Sequence, residues 1–149
     1  MLVRDVMTKK VITVTARTPV EEIARLLLDH HISAVPVVDA KGVIVGMVSE
    51  GDLMRRLSAT GAPRRSWWLE LFAGSGHTAA DYVQTHGTTA ADIMSRDIAT
   101  VAEDMPIGEV ARILEKNRIK RVPVLRGGRL TGIVSRANLL HGLASLPHN

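Results

Sequence analysis

Between residues 11 and 57 the hydrophobic positions change their spacing several times. Val20, Ile23, Ala24 and Leu27 recur at i, i+3, i+4 and i+7, which predicts an amphipathic helix. Thr18-Pro19-Val20-Glu21 supplies an N-cap, a proline at the first helical position and a capping-box glutamate. The β-rich runs predict three strands, and the polar residues that follow predict a short helix. In chain order these segments are Val11–Thr15, Ala34–Val38, Val43–Ser49 and the helix Glu50–Leu57.

The same pattern returns in the second half of the chain. Met7 and Met94 are 87 positions apart, and the same interval separates Val35-Pro36-Val37 from Val122-Pro123-Val124. After the turn the interval is 86, because the second copy has lost one turn residue. More than fifty residues match with this single gap, which indicates an internal duplication.

The copies differ at two structural positions. Asp39-Ala40-Lys41-Gly42 joins the first pair of strands, whereas Gly127-Gly128 predicts a tighter two-residue hairpin in the second. The second helix stripe is Ile107, Val110, Ala111 and Leu114. There Met105 replaces the capping threonine, so we expect that helix to begin less firmly. The last predicted helix is Arg136–Leu143.

The duplication defines the domain organisation. We predict one α/β (α+β) module with a first repeat at residues 1–58, a helical linker at 59–89 and a second repeat at 90–149. One repeat buries too little apolar surface to be stable alone, so two should pack sheet to sheet. The linker holds all four aromatic residues, Trp67, Trp68, Phe72 and Tyr82. They either cover part of the sheets, or form a dimer contact or a lid over a ligand.

Composition narrows the class of protein. The 149 residues are 46% hydrophobic but only 3% aromatic, so the core should be aliphatic. The lack of cysteine excludes disulfides, thiolate zinc sites and a cysteine nucleophile. No apolar run reaches the roughly 18 residues of a membrane span, and no signal-peptide pattern is visible, so we expect a cytoplasmic protein. The formal charge of +4 is scattered, which favours a solvated surface over a nucleic-acid interface.

Candidate catalytic and metal motifs are weak. Gly74-Ser75-Gly76-His77-Thr78-Ala79 fits a dinucleotide fingerprint only loosely and is better interpreted as a turn. The six histidines form no metal-binding pattern, and His77 with Asp81 lacks a third ligand. No nucleophile–base pair stands out, and the chain is too short for an enzyme built on a barrel of about 250 residues. We therefore expect a binding protein, not an enzyme.

One repeated segment, Ser-x-x-Asp or Ser-x-x-Asn, has side chains suited to ligand binding. Ser49 ends a predicted strand and Asp52 follows three residues later, and Ser135 and Asn138 repeat the arrangement. A serine at a helix start can help to hold a phosphate, and a carboxylate nearby can accept hydrogen bonds from two ribose hydroxyls. Ser-x-x-Asp is equally a plain capping box, and the residues alone leave both interpretations open.

Taken together, the repeated segments resemble the cystathionine-β-synthase (CBS) domain in a tandem pair, the Bateman module. The first copy carries "DVMTKKVITV", "HISAVPVV" and "GMVSEGDL", and the second carries "DIMSRDIATV", "RIKRVPVL" and "GIVSRANL". The resemblance covers residues 3–57 and 90–143. It implies two β-α-β-β-α units packed through their sheets, two clefts between them, and association of modules into disc-like dimers.

The resemblance also implies a ligand, namely AMP, ADP, ATP, S-adenosylmethionine or NAD, and a ligand-dependent signal to an unknown effector protein. In the family each cleft takes its Ser-x-x-Asp end from one copy and the strand before Val-Pro-Val from the other. The stronger cleft would contain Met47, Ser49, Asp52, Ile98, Ile119, Lys120 and Arg121. The weaker cleft would contain Ile12, Ile32, Ser33, Ala34, Ile133, Ser135 and Asn138. The second set lacks both the carboxylate and the cations, so we expect it to bind less tightly.

These observations predict a non-catalytic sensor of adenine nucleotides. We expect a homodimer, because the short helices at 50–57 and 136–143 would otherwise leave apolar side chains in water. Those side chains are Leu53, Leu57, Leu139, Leu140 and Leu143. The alternative is a structural dimerisation module whose clefts are vestigial. Asp52 and the Lys120-Arg121 pair favour the sensor, since a vestigial cleft need not keep complementary charge.

Overall fold

The computed structural model describes residues 1–59 and 88–147. The linker aromatics, the Gly74–Ala79 motif and the His77/Asp81 pair lie outside these residues. The first repeat contains α1 (Val3–Val6), α2 (Val20–Asp29), β1 (Ala34–Val38), β2 (Ile44–Ser49) and α3 (Glu50–Ala59). The second contains α4 (Ala90–Ile93), β3 (Val101–Ala102), α5 (Ile107–Asn117), β4 (Arg121–Arg126), β5 (Arg129–Ser135) and α6 (Arg136–Ala144).

The chain forms two compact units whose boundaries differ from those of the sequence repeats. Unit 1 comprises Met1–Ile12, Ala40–Ile44 and Ile98–Asn149, and unit 2 comprises Thr13–Asp39 and Val45–Asp97. The first twelve residues of the first repeat therefore fold with the body of the second, and residues 90–97 of the second repeat fold with the body of the first.

Unit 1 is built on a three-stranded sheet in the order β3-β4-β5. β3 runs parallel to β4, and β4 pairs with β5 as an antiparallel hairpin. Gly127 and Gly128 have φ of 58° and 80°, which confirms the predicted two-residue turn. Residues 40–44 join this unit because the Leu130 N–H donates to the Gly42 carbonyl at 3.1 Å. The buried core is aliphatic: Val3, Val101, Val110, Leu114, Val122, Val124 and Val134.

Unit 2 is built on the β1-β2 pair. The strand predicted at Val11–Thr15 is wrong in extent, because only Val14 forms a bridge, parallel to Val37. Val14 donates to the Pro36 carbonyl at 3.0 Å and accepts from Val38 at 2.9 Å, and the chain then turns from Thr15 to Thr18. Its buried hydrophobic residues are Val14, Val20, Ile23, Ala24, Leu27, Val35, Val37, Val48, Leu53 and Ala90.

The predicted start of the long helices is also wrong. Pro19 and Pro106 are the N-cap residues, with extended backbones and no capping side chain, so neither proline occupies the first helical position. The Thr18 hydroxyl instead accepts from the Thr15 N–H at 3.0 Å. The first helical N–H groups donate to carbonyls that are distant in sequence, Val20 to Thr88 near the end of the linker at 3.3 Å and Ile107 to Met1 at 3.2 Å. These backbone bonds replace side-chain caps in both copies, so Met105 does not distinguish the two starts.

The remaining elements match the predictions closely, with one exception in side-chain orientation. α3 and α6 begin where predicted, at Glu50 and Arg136, and β2 begins one residue late, at Ile44. Leu53 was expected on an exposed helix face, yet it is 1% exposed, because α3 turns this side chain into the core of unit 2. None of the helices within residues 1–59 and 88–147 is both long and apolar enough to cross a bilayer.

Candidate functional site

Each unit carries the Ser-x-x-Asp/Asn segment at a junction where a strand leads into a helix. In unit 2 the Ser49 N–H donates to Asp52 Oδ2 at 2.8 Å, and the Asp52 N–H donates to Ser49 Oγ at 3.2 Å. In unit 1 the Ser135 N–H donates to Asn138 Oδ1 at 2.8 Å, and the Asn138 N–H donates to Ser135 Oγ at 3.2 Å. Both segments are therefore reciprocal capping boxes, as one of the two sequence interpretations predicts.

A hydroxyl residue from the start of the other repeat completes each junction. Ser95 exchanges backbone hydrogen bonds with Met47 at 3.0 and 2.9 Å, and its hydroxyl donates to Asp52 Oδ1 at 3.4 Å. Thr8 exchanges two bonds of 2.9 Å with Ile133, and Asn138 Nδ2 donates to its hydroxyl at 3.3 Å. The sequence interpretation did not include Thr8 or Ser95. Their signal was the hydroxyl residue after methionine, repeated at the 87-residue interval.

Two glycines allow these incoming segments to lie against the sheet strands. A Cβ at Gly46 would lie 2.7 Å from Met94 Sδ and 3.0 Å from the Ser95 carbonyl oxygen. A Cβ at Gly132 would lie 2.7 Å from Met7 Sδ and 3.0 Å from the Thr8 carbonyl oxygen. Both glycines therefore serve the close approach of another backbone.

The two junctions differ in charge. Asp52 is buried, at 7% exposure, and accepts from the Ser49 N–H and hydroxyl, the Ser95 hydroxyl and the Arg55 guanidinium. These four donors use about all the acceptor positions of a carboxylate. Asn138 is neutral, and its side-chain oxygen accepts from the Ser135 N–H and hydroxyl. Only the unit 2 junction thus has a buried negative charge.

Arg55 is the most replaceable of the four donors to Asp52. Its side chain is 73% exposed, whereas that of Asp52 is 6% exposed. An ion pair with one partner in solvent is held weakly, usually by no more than about 1 kcal/mol. A ligand hydroxyl could therefore take the place of the guanidinium at Asp52 Oδ1 without disturbing the capping bonds at Oδ2.

The strand entry before Val-Pro-Val lies beside the junction of the same repeat. The Glu50 N–H donates to the Ser33 carbonyl at 2.9 Å in unit 2, and the Arg136 N–H donates to the Lys120 carbonyl at 3.0 Å in unit 1. Arg121 is paired with Ser135 across β4 and β5. Unit 2 contains Ile32, Ser33, Ala34, Met47, Ser49 and Asp52, and unit 1 contains Ile12, Ile98, Ile119, Lys120, Arg121, Ile133, Ser135 and Asn138. Each of the two predicted residue sets therefore draws on both units.

The described residues contain no candidate metal centre at either junction. Among residues 1–59 and 88–147, no group of three or more His, Cys, Asp or Glu side chains could hold a metal ion. What the unit 2 junction offers is a buried carboxylate, hydroxyl groups and half-buried aliphatic side chains such as Met47. These groups are suited to binding a polar ring substituted with hydroxyls beside an apolar surface.

Comparison with known proteins identifies the family. The CBS-domain model matches residues 3–59 and again residues 90–145. The chain belongs to the CBS-domain family and carries two copies of the domain. The fold described above, with mixed helices and sheets in each repeat, agrees with this assignment.

Relatives and solved structures match along nearly the whole chain. The uncharacterized protein MJ1426 of Methanocaldococcus jannaschii is 30% identical over 154 residues, which cover 96% of this chain and 91% of that protein. The CBS domain pair of MJ0100, solved with 5′-methylthioadenosine and S-adenosyl-L-methionine, has a TM-score of 0.72 and 26% identity, covering 97% and 96% of the chains. CBSX2, solved with AMP, has a TM-score of 0.72 and 25% identity, covering 96% of each chain.

Proposed function

We propose that this protein is a non-catalytic regulatory module that binds an adenine nucleotide and signals its presence to an effector protein through a change in conformation. The observation that carries the proposal is the buried carboxylate of Asp52, which shares one oxygen with an exposed, exchangeable arginine. The compounds bound to MJ0100 and CBSX2 share an adenosyl group, and hence a ribose ring with two hydroxyls. A carboxylate that accepts from two ribose hydroxyls would recognise this shared part.

We infer that two residue sets contact ligand with unequal strength. The stronger set comprises Met47, Ser49, Asp52, Ile98, Ile119, Lys120 and Arg121. The weaker set comprises Ile12, Ile32, Ser33, Ala34, Ile133, Ser135 and Asn138. A hydrogen bond to a charged acceptor contributes about 1.5–3 kcal/mol against roughly 1 for a neutral one. The Asp52 site should therefore bind about 10 to 100 times more tightly, at about 1.4 kcal/mol per tenfold.

The phosphate groups of the nucleotide should depend on Lys120 and Arg121. Arginine offers a planar fork that matches phosphate oxygens, and lysine offers a point charge. Adenosine, which has no phosphate, therefore separates the two contributions. Lys120→Ala should weaken AMP binding but leave adenosine binding unchanged, whereas Asp52→Asn should weaken both.

Calorimetric titration with AMP tests the assignment. Asp52→Asn keeps a side-chain oxygen for the capping box but removes the charge, so the tight phase should weaken 10- to 100-fold while the thermal midpoint changes little. Asn138→Asp is the matched reverse change and should strengthen the weak phase. If Asp52→Asn leaves the tight phase intact and Asn138→Ala abolishes it, the two sites have been assigned the wrong way round.

The alternative function is a structural dimerisation module. The observation that favours it is that Asp52 and Asn138 are hydrogen-bonded within their own units, since a capping role explains both residues without a ligand. Native mass spectrometry of protein purified without added nucleotide separates the two functions. A retained adenylate supports the sensor, and its absence together with no calorimetric binding supports the structural module.

We also propose that two copies of the chain form a homodimer. Leu140 and Leu143 on α6 are 66% and 61% exposed, although both are large apolar side chains. Monomeric proteins seldom leave such neighbours in water. Light scattering should give the mass of a dimer at micromolar concentration, with or without nucleotide, and the mass of a single chain under both conditions would contradict the proposal.

A further inference from the structure

The positive charge of the chain is concentrated in unit 1. By sequence, unit 1 contains 12 Lys and Arg against 5 Asp and Glu, whereas unit 2 contains 7 against 10. The formal charge of +4 therefore combines an excess of +7 in unit 1 with −3 in unit 2. Along the sequence the same charges look scattered, because each unit takes segments from both repeats.

Part of this charge lies along the outer edge of β5. One edge of β5 pairs with β4, and two segments from the first repeat contact the other edge. Thr8 exchanges two backbone hydrogen bonds of 2.9 Å with Ile133, and Val43 forms an antiparallel bridge with Arg129. Arg129 and Ile133 are four residues apart on the strand, so the two contacts lie roughly 13 Å from each other.

The segments that meet at this edge are rich in cations. Residues 7–12, 40–44 and 125–133 contain five Lys or Arg residues and no Asp or Glu. The nearest carboxylates along the chain are Asp5 and Asp39, which lie outside these segments. We call the five cations the basic edge, and all of them are exposed: Lys9, Lys10, Lys41, Arg126 and Arg129.

Two of these cations lie opposite each other across a hairpin. Arg126 and Arg129 are Cα partners on β4 and β5, on either side of Gly127-Gly128. Like charges at directly opposed positions lower the stability of a strand pair. The first repeat has Asp39 and Val43 at the equivalent positions, so the repeat folds without a pair of cations at its turn. Stability of the hairpin therefore does not explain the two arginines, whereas attraction to a negatively charged partner does.

We propose that the basic edge binds an acidic, extended segment of the effector protein, rich in Asp and Glu. The proposal rests on the proposed function, which requires an effector, and adds the chemistry of that partner. The planar fork of arginine matches a carboxylate with two parallel hydrogen bonds. An extended chain rises about 3.3 Å per residue, so about four residues of such a segment span the basic edge.

A nucleic acid would fit this surface less well. Unit 1 contains no Phe, Trp or Tyr. Proteins that hold single-stranded nucleic acid stack its bases on aromatic side chains in addition to neutralising its phosphates. The basic edge offers the charges without the stacking partners, which favours carboxylates over nucleotides.

Fluorescence anisotropy with a labelled decaglutamate peptide tests the basic edge. At low ionic strength, Arg126→Gln with Arg129→Gln should raise the dissociation constant of the peptide about five- to tenfold. Arg112→Gln with Lys116→Gln is the matched control, because it removes the same charge from exposed positions on α5 of the same unit. The control should raise the dissociation constant less than about twofold. Equal losses in the two variants would show attraction to the net charge of unit 1 and would overturn the proposal.

Two further measurements separate the possible causes of a negative result. Urea unfolding should show Arg126→Gln with Arg129→Gln to be at least as stable as the wild type, because the change removes two opposed like charges. A single-stranded DNA of about ten nucleotides should bind more weakly than the peptide. Tighter binding of the DNA, with the same loss in the arginine variant, would overturn the acidic protein segment as the partner.

The proposed function is tested independently of the basic edge. Calorimetric titration with AMP should give the same affinity in Arg126→Gln with Arg129→Gln as in the wild type, because neither arginine belongs to the nucleotide residue sets. A wild-type chain that binds the peptide but no adenylate would overturn the proposed function and leave the basic edge standing. A chain that binds AMP but not the peptide would overturn the basic edge alone.

Discussion

The close approach of residues 7 and 8 to Gly132 can be tested with one methyl group. In Gly132→Ala the new Cβ would lie 2.7 Å from Met7 Sδ and 3.0 Å from the Thr8 carbonyl oxygen. Ordinary contacts between such atoms are about 3.5–4.0 Å. The methionine sulfur can move, but the carbonyl oxygen cannot retreat without lengthening its 2.9 Å bond from the Ile133 N–H.

The expected loss of stability in Gly132→Ala follows from the hydrogen bonds that the new Cβ would break. Loss of the two backbone bonds between Thr8 and Ile133 would cost about 2 kcal/mol, at about 1 kcal/mol per bond. This agrees with the roughly 1–3 kcal/mol typical of an overfilled site. With a urea m-value of about 2 kcal/mol/M, the unfolding midpoint should fall by about 1 M.

Urea unfolding of Gly132→Ala beside Gly108→Ala provides the assay and its control. Gly108 is exposed in α5 and its Cβ position has no heavy atom within 4 Å, so alanine there should stabilise by up to about 1 kcal/mol. Amide hydrogen exchange should become faster at Ile133 in Gly132→Ala and remain unchanged at Met47, which lies in unit 2. An unchanged urea midpoint in Gly132→Ala, with normal protection of the Ile133 amide from exchange, would refute the close contact of residues 7 and 8 with β5.

Three further outcomes are expected. Leu53→Ala should lower the free energy of unfolding by about 2–5 kcal/mol, because the side chain is 1% exposed. Met54→Ala, at 53% exposure, should change it by no more than about 0.5 kcal/mol. Both values are measured by urea titration at a protein concentration below the dimer dissociation constant. Gly128→Val should cost at least about 1–2 kcal/mol in the same titration, because φ is 80° at this turn; equal stability would contradict the turn geometry. Arg55→Gln should raise adenosine affinity by up to about fivefold in calorimetry, because it removes the Arg55–Asp52 ion pair, which contributes about 1 kcal/mol or less. A loss of affinity would show that Arg55 contacts the ligand.

Features set by neighbouring residues were predictable from the sequence. The Gly127-Gly128 hairpin needs only two residues that tolerate positive φ, and both have it. The stripe of Val20, Ile23, Ala24 and Leu27 placed α2 correctly because its buried side follows the helical period. The reciprocal bonds of Ser49 with Asp52 were likewise visible as a capping pattern. Each of these interactions spans four residues or fewer, or depends on periodicity alone.

Features set by distant residues were not predictable in the same way. The prediction that Thr18 caps α2 was wrong because the Val20 N–H donates to the Thr88 carbonyl, and no pattern in the residues near Thr18 indicates this bond. For the same reason Thr8 and Ser95 were missed as members of the junctions, although each lies in a repeated segment. The exposure of Leu140 and the burial of Leu53 also depend on which side of a short helix meets the core. In α3 and α6 the apolar residues are adjacent in sequence, Leu53-Met54 and Leu139-Leu140, so the pattern does not tell which of the two side chains faces the core.

The exchange of segments between repeats has a consequence for how the chain is made. Asn138 lies 130 residues after Thr8, its hydrogen-bond partner, so this contact of unit 1 cannot form until residue 138 has been synthesised. At about 5–20 residues per second, the N-terminal segment waits roughly 7 to 26 seconds after its own synthesis. Unit 2 lies entirely within Thr13–Asp97 and can be completed earlier. The described elements of unit 2 can therefore pack together while residues 1–12 still lack the strand β5 that they contact.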